Sequence, residues 1–163
     1  LVGDTRGDLA GSHYARLASP ARAGGSTPAL PPDGLARYRA LHQAIRRGIV
    51  CSCHDLSEGG LGVAAAEMCV AGRLGMRLRL ADMVVDDGAS SNGVRLFSES
   101  NGRFLVEVAP ERVHEFREVM AGHPLAEMGI ACGSALRIAG VDGSLLLTIP
   151  VTELAAAWLG GAR

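Results

Sequence analysis

Lysine is absent from this sequence, and every basic residue in it is an arginine. Chemistry that needs a lysine nucleophile or a lysine clamp on phosphate is therefore excluded for these residues. Aromatic residues are also scarce, at 4% of the chain, so the core must be built from aliphatic side chains. No apolar run reaches the roughly 18 residues that a membrane-spanning helix needs, so we expect no membrane partner.

Neither positive nor negative charge is in large excess, since the formal net charge is −1 at pH 7. The longest arginine run is Arg46-Arg47, and aromatic residues do not alternate with basic ones. A nucleic-acid-binding protein usually carries a basic face that contacts phosphates. We therefore expect no nucleic-acid partner.

The four cysteines predict a reduced, cytoplasmic protein, because they lie at apolar positions typical of buried thiols. Cys51 and Cys53 alternate with Ser52 along a strand, and no second pair of Cys or His residues has zinc spacing. The sequence therefore predicts no metal site at the cysteines, and we assign no metal-binding residue. The cysteines are Cys51, Cys53, Cys69 and Cys132.

The chain has the organisation expected for a piece of a longer protein. It begins with Leu rather than Met, and Leu1-Val2-Gly3 is typical of the end of a buried strand. A processed amino terminus is the alternative. Residues 18–32 are rich in Pro, Gly, Ser and Ala, which predicts a linker. We therefore expect residues 1–17 to belong to a preceding unit and residues 33–163 to form the main domain.

Hydrophobic periodicity over residues 33–163 predicts helices and strands in mixed order. Asp33 is expected to cap a helix, residues 49–53 to form a buried central strand, and residues 61–72 to form a helix. Alternation over residues 76–80 predicts a half-buried strand. Later segments predict a βαβββα order, with residues 93–100 ambiguous between helix and loop. Because the two element types do not alternate strictly, we expect an α+β fold with a mixed sheet covered by helices.

A turn between a strand and a helix carries the first candidate site. Ser57 is expected to cap the helix, while Gly59 and Gly60 leave backbone N–H groups uncovered for an anion. Asp55 at the strand end and Glu58 could hold a metal ion or a ligand hydroxyl, or Glu58 could only satisfy the helix dipole. An ordinary structural helix start is the alternative interpretation.

The second candidate site is an acidic residue between two hydroxyls. Glu99 is flanked by Ser98 and Ser100 and could accept a hydrogen bond from a substrate amide or amidine. Arg103, at the start of the next strand, could bind phosphate with both arms of its guanidinium. The alternative is a Glu99–Arg103 ion pair that only fixes the loop.

Both motifs resemble the phosphoribosylformylglycinamidine synthase family, within the aminoimidazole ribonucleotide synthetase superfamily. The resemblance rests on His54-Asp55-Leu56-Ser57-Glu58-Gly59-Gly60-Leu61 and Leu96-Phe97-Ser98-Glu99-Ser100. It points to the carboxyl-terminal domain of the second half of such enzymes, with that domain's fold. The run Gly3-Asp4-Thr5-Arg6-Gly7-Asp8-Leu9-Ala10-Gly11-Ser12-His13-Tyr14 resembles the end of the preceding amino-terminal-type domain, although the family favours Gly where this chain has Ala10.

The resemblance implies a carbon–nitrogen ligase of purine biosynthesis that uses ATP, Mg²⁺ and glutamine. Formylglycinamide ribonucleotide would become formylglycinamidine ribonucleotide, with ammonia supplied by a glutaminase subunit or domain. Its partners would be the rest of the synthase chain, that glutaminase and small nucleotide substrates. The family's catalytic histidine and most of its magnesium ligands lie in domains absent here, so we assign no catalytic residue and expect the piece alone to be inactive.

The resemblance implies ligand or phosphate contacts by the candidate residues of both motifs, and it leaves two alternatives open. The domain could be a non-catalytic scaffold that holds a structural nucleotide. It could also belong to another ATP-using superfamily member, such as a selenophosphate synthetase. The candidate residues are Asp55, Ser57, Glu58, Gly59, Gly60, Glu99, Ser100 and Arg103.

Overall fold

Helices and strands follow one another in the predicted mixed order in the computed structural model, which describes residues 1–18 and 27–160. The helices are α1 (His13–Ala18), α2 (Gly34–Arg46), α3 (Gly60–Gly72), α4 (Asn92–Phe97), α5 (Val113–Val119) and α6 (Val151–Gly160). The strands are β1 (Val50–Asp55), β2 (Met76–Arg79), β3 (Phe104–Val108), β4 (Gly129–Ala131), β5 (Ala135–Ala139) and β6 (Leu145–Pro150). The α+β class is confirmed, and the ambiguous segment forms the short helix α4 followed by a loop.

Two sheets carry the strands in the described part of the chain. The larger has the order β4-β2-β5-β6 and is mixed, because β2 and β5 are parallel while both outer pairs are antiparallel. The smaller pairs β1 with β3 antiparallel, and Val2 adds an isolated bridge to Phe104. No helix in the described ranges has both the length and the apolar character that crossing a membrane requires.

The core lies in two clusters that follow from the amphipathic patterns of the helices. One packs α3 against the inner face of the larger sheet, and the other packs α2 and α5 near the smaller sheet. Buried members of the first include Leu61, Ala65, Leu78, Leu136 and Ile138. Buried members of the second include Val2, Leu41, Ala44, Ile49, Phe116 and Met120.

The prediction of a buried central strand at residues 49–53 is wrong. Strand β1 has β3 as its pairing partner among the described residues, and its side chains alternate between partly buried and exposed. Cys51 and Cys53 are exposed, which also corrects the expectation of buried thiols, whereas Cys69 is buried as expected. The error arises because cysteine counts as apolar in a short run, and such a run does not reveal how many faces are covered.

Residues 1–12 pack closely against the main body through a buried arginine. Arg37 is 1% exposed, and its guanidinium donates to Asp4 Oδ1 at 3.1 Å, Asp33 Oδ1 at 2.8 Å and the Gly102 carbonyl at 3.0 Å. Asp33 precedes α2 as predicted, but its side chain makes no capping hydrogen bond because it binds Arg37 and His123 instead.

The predicted linker, residues 18–32, falls in part on residues 19–26, which lie outside the described residues. The division into residues 1–17 and 33–163 stays a prediction.

Candidate functional site

The first motif forms an exposed polar turn between β1 and α3. Asp55 is the last residue of β1, where it pairs with Phe104, and its side chain is 65% exposed. Ser57 and Glu58 are exposed in the turn, and Glu58 lies 3.2 Å from His13 Nε2. Leu56 anchors the turn, because its side chain is buried and its N–H donates to the Arg103 carbonyl at 3.0 Å. Three polar side chains therefore face solvent above a fixed backbone.

The two glycines of this motif are required by backbone conformation and by close packing. Gly59 and Gly60 have φ values of +77° and +58°, in the left-handed region that favours glycine. A Cβ on Gly60 would lie 2.3 Å from the Ser98 carbonyl oxygen. The amino end of α3 can therefore approach the second motif only because it lacks a side chain there.

The helix start differs from the prediction in how its N–H groups are satisfied. Gly59 is the N-cap residue and no side chain of the turn itself caps α3, so the expected Ser57 hydroxyl cap is wrong. Gly59 N–H donates to Glu99 Oε1 at 2.9 Å, and Gly60 N–H donates to the Ser57 carbonyl at 3.1 Å. Both N–H groups expected to be uncovered have protein acceptors, because the left-handed turn brings the helix start against the Glu99 loop.

The hydroxyls beside Glu99 point inward and join the second motif to the amino-terminal segment. Ser98 is fully buried, and its hydroxyl donates to the Arg6 carbonyl at 2.7 Å. Ser100 is 2% exposed, lies 2.8 Å from the Ser98 hydroxyl, and accepts from Arg6 N–H at 3.0 Å. Ser98 was not a candidate residue, although the alternation of Ser98, Glu99 and Ser100 already places both hydroxyls on one side.

Arg103 lies in the interior rather than facing the exposed turn. Its guanidinium donates to the Ser100 carbonyl at 3.1 Å, to Thr5 Oγ1 at 2.9 Å and to the Ser98 carbonyl. Burial lowers its pKa to about 10, against the opposing charges of Asp8 and Asp4. The alternative Glu99–Arg103 ion pair does not form, since the guanidinium holds the loop through the backbone instead.

His54 is a further polar residue at the site; it belongs to the first motif but was not a candidate site residue. Its Nε2 lies 2.8 Å from Glu67 Oε2, and its Nδ1 lies 2.7 Å from the Asp55 carbonyl oxygen. These contacts link the end of β1 to the middle of α3. No local spacing rule relates His54 to Glu67, so only the packed fold reveals the contact.

A magnesium ion does not fit the described residues of this chain by themselves. Across residues 1–18 and 27–160, no three His, Cys, Asp or Glu side chains converge as metal ligands would. Glu99, the partly buried carboxylate of the site, already accepts from Gly59 N–H. The site thus offers exposed carboxylate and hydroxyl groups on a rigid turn rather than a metal centre.

Comparison with known proteins decides the family. Residues 15–135 match the family described as AIR synthase related protein, C-terminal domain. The chain belongs to this family. The resemblance deduced from the two motifs and the fold expected from it are confirmed.

Relatives that match three quarters or more of this chain are subunits of one enzyme. The PurL subunit of phosphoribosylformylglycinamidine synthase from Anaeromyxobacter dehalogenans (strain 2CP-C) is 34% identical over 177 residues, which cover 99% of this chain and 21% of that protein. The same subunit from Limosilactobacillus reuteri (strain DSM 20016) is 40% identical over 121 residues, which cover 74% of this chain and 15% of that protein. The chain thus spans about a fifth or less of the curated relatives it matches.

Solved structures show the same fold at lower identity. The PurLQS structure from Thermotoga maritima has a TM-score of 0.75 at 20% identity, covering 94% of this chain and 25% of that one. T. maritima PurL complexed with FGAR has a TM-score of 0.73 at 22% identity, covering 94% of this chain and 27% of that one. The hydrogenase maturation protein HypE has a TM-score of 0.58 at 14% identity, covering 68% of this chain and 40% of that one.

Proposed function

We propose that this chain is the carboxyl-terminal domain of the second half of a PurL-type phosphoribosylformylglycinamidine synthase. The observation that carries the proposal is the match to a PurL subunit at 34% identity over 99% of this chain. Family membership alone is compatible with other activities, because HypE shares the fold. PurL subunits from three Anaeromyxobacter strains are 33–34% identical to this chain and cover 99% of it.

In this proposal the parent enzyme is a cytoplasmic ligase that converts formylglycinamide ribonucleotide to formylglycinamidine ribonucleotide. ATP transfers its terminal phosphoryl group to the amide oxygen and leaves as ADP, and ammonia from a glutaminase subunit or domain then displaces that oxygen as phosphate. PurL structures complexed with ATP, ADP and FGAR support these ligands. The rest of the synthase chain supplies the catalytic groups and any magnesium ligands, so the isolated domain is inactive.

The part we assign to this domain is one wall of a nucleotide pocket. Asp55, Ser57 and Glu58 are the residues proposed to contact ligand, because their side chains are exposed on a turn fixed by Leu56 and by the glycines. A rigid backbone matters, since misplacing a ligand-contacting group by about 1 Å can cost around a hundred-fold in rate.

Glu99, Ser100 and Arg103 are proposed to act mainly by positioning that wall. Glu99 accepts a hydrogen bond from the N–H of Gly59, and Arg103 donates hydrogen bonds to the carbonyls of Ser98 and Ser100. A phosphate contact by Arg103 would require one of its present acceptors to be replaced. A phosphate contact by the N–H groups of Gly59 and Gly60 would likewise require their present acceptors to be replaced.

A second candidate function is a scaffold that stabilises the synthase without contacting the reacting substrate. The specific observation that favours it is the Glu99–Gly59 hydrogen bond, because the amino end of α3 already carries an internal carboxylate. A structural nucleotide held by the same wall is a form of this candidate.

The test measures ADP release by the full-length synthase, with ammonia as nitrogen donor, with and without formylglycinamide ribonucleotide. Release that depends on this substrate supports the synthase, and release that ignores it contradicts the proposal. Selenide-dependent ATP cleavage would instead indicate a selenophosphate synthetase relative.

Two variants then separate the pocket wall from the scaffold. The wall predicts that Asp55→Ala lowers substrate-dependent turnover at least about ten-fold, equivalent to about 1.4 kcal/mol of barrier. The matched control is Asp87→Ala, which removes an exposed carboxylate outside the β1–α3 turn. Near-normal turnover with reduced stability in Asp55→Ala would favour the scaffold.

A further inference from the structure

Two arginines lie side by side on the outer face of the larger sheet. Arg77 of β2 and Arg137 of β5 are register partners in the parallel pair, and both side chains are exposed. Neighbouring strands are about 4.8 Å apart, so two like charges are held close together. Such a cross-strand pair is unfavourable unless something offsets the repulsion.

Beside these arginines the structure forms a cleft of about 230 Å³. Its walls include the turn that leads from β4 into β5, and they contain no carboxylate. The lining residues are Arg77, Cys132, Gly133, Ser134, Ala135 and Arg137. The cleft is therefore strongly cationic in a chain whose overall charge is −1.

The donors around the cleft are largely unused. Within residues 1–18 and 27–160, the Arg137 guanidinium and the Ser134 hydroxyl form no hydrogen bond to protein. Arg77 uses only its Nε, which lies 3.2 Å from Cys132 Sγ, so its two terminal nitrogens stay available. Arg79, two residues further along β2, differs because Asp82 neutralises it at 2.6 Å.

We propose that the cleft between Arg77, Arg137 and Ser134 binds a phosphate group. Two planar guanidinium groups can each offer paired N–H donors to phosphate oxygens, a geometry that arginine provides and lysine does not. The Ser134 hydroxyl adds a neutral donor, and a dianion offsets the repulsion between the two cations. The phosphate can be free inorganic phosphate or the phosphoryl end of a nucleotide.

This site is independent of the proposed synthase activity. It lies on the larger sheet, whereas the turn at Asp55 follows a strand of the smaller sheet. Its test therefore needs a binding measurement on this chain and no turnover assay.

The experiment titrates the 163-residue chain with inorganic phosphate by calorimetry, at an ionic strength held constant with chloride. We expect saturable binding that weakens about ten-fold in Arg137→Gln, because one of the two guanidinium groups is lost. The control Arg39→Gln removes an exposed arginine on α2 and should change the affinity less than about two-fold.

Arg137→Gln is expected to fold normally, since its side chain has no protein partner among the described residues, and a thermal melt checks this. Binding that does not saturate, or that is equally strong in Arg137→Gln, would overturn the site. A parallel titration with adenosine monophosphate separates the sources. Tighter binding than inorganic phosphate supports the site with a nucleotide as ligand, and binding of inorganic phosphate alone supports it with the free ion.

Discussion

Glu99 Oε1 accepts a 2.9 Å hydrogen bond from the N–H of Gly59, 40 residues earlier in the chain. The carboxylate therefore lies at the positive end of α3 and supplies the cap that no side chain in the preceding turn provides. This one contact joins the two sequence motifs and fixes the spacing between the α4–β3 loop and the start of the helix.

Replacing Glu99 by alanine should destabilise the domain by about 1–2 kcal/mol, because a charge-assisted hydrogen bond at a helix end is lost. Urea unfolding monitored by circular dichroism gives the difference. Asp87→Ala is the control, since its carboxylate is exposed in a loop. A loss no larger than in that control would show that the Gly59–Glu99 bond contributes nothing measurable.

Glycine at position 60 should be irreplaceable, unlike a glycine later in the same helix. In Gly60→Ala the new Cβ would meet the Ser98 carbonyl at 2.3 Å from a left-handed backbone, so we expect a loss of about 2 kcal/mol or more. Gly72→Ala meets nothing within 4 Å and should be neutral or stabilising by up to about 1 kcal/mol. Equal melting temperatures for the two variants would contradict the close approach.

Acid should weaken the attachment of residues 1–12 to the main body. Burial opposes ionisation of Asp4, but hydrogen bonds from Arg6 and Arg37 outweigh it and hold the pKa of this carboxyl below its usual value. A lowered folded-state pKa means that the stabilisation is complete above the unfolded-state pKa, near pH 4, and is lost as the pH falls further. Asp4→Asn should therefore lower the unfolding free energy at pH 7, and this effect should shrink as the pH falls through the lowered folded-state pKa. An effect that stays the same as the pH falls would contradict the ionic role of Asp4.

The cysteines should differ in their reaction with maleimide. Cys51 and Cys53 are exposed on β1 and should be labelled in the native protein, whereas Cys69 should react only after unfolding. Desolvation, and secondarily the charge of Asp55, raise the pKa of the Cys53 thiol. Near neutral pH Cys53 should therefore react more slowly than an exposed thiol of ordinary pKa. Burial raises the pKa of the Cys69 thiol as well. Mass spectrometry of the labelled peptides measures each rate, and labelling of native Cys69 would contradict the packing of α3.

The sequence allowed the order of elements to be predicted because each one has its own local pattern. The spacing of Leu61, Ala65 and Cys69 predicts α3, and alternation from Met76 to Leu80 predicts β2. The end of α3 was placed correctly at Gly72, but the left-handed residue that follows is Arg73, with φ of +51°, rather than a glycine. The local pattern thus predicted where α3 ends, but it did not predict which residue adopts the left-handed conformation after it.

The two site motifs were recognisable from sequence, but their contacts were not. Gly59 and Gly60 by themselves predict a tight strand-to-helix turn, since few other residues tolerate the left-handed backbone conformation found there. The contacts of the two motifs join residues that are distant in the chain. Glu99 accepts a hydrogen bond from Gly59, Arg103 donates one to Thr5, and His54 lies beside Glu67.

The sequence by itself determined the α+β class, the order of the elements and the family, because periodicity, glycine positions and motif residues are local properties of the chain. Only the tertiary structure decided that Glu99 caps α3, that Arg103 is buried among carbonyls, and that Arg77 lies beside Arg137. Each of these contacts depends on strand pairing and helix packing between segments far apart in sequence. A local sequence pattern does not reveal which distant donor or acceptor will lie next to a given residue in the folded protein.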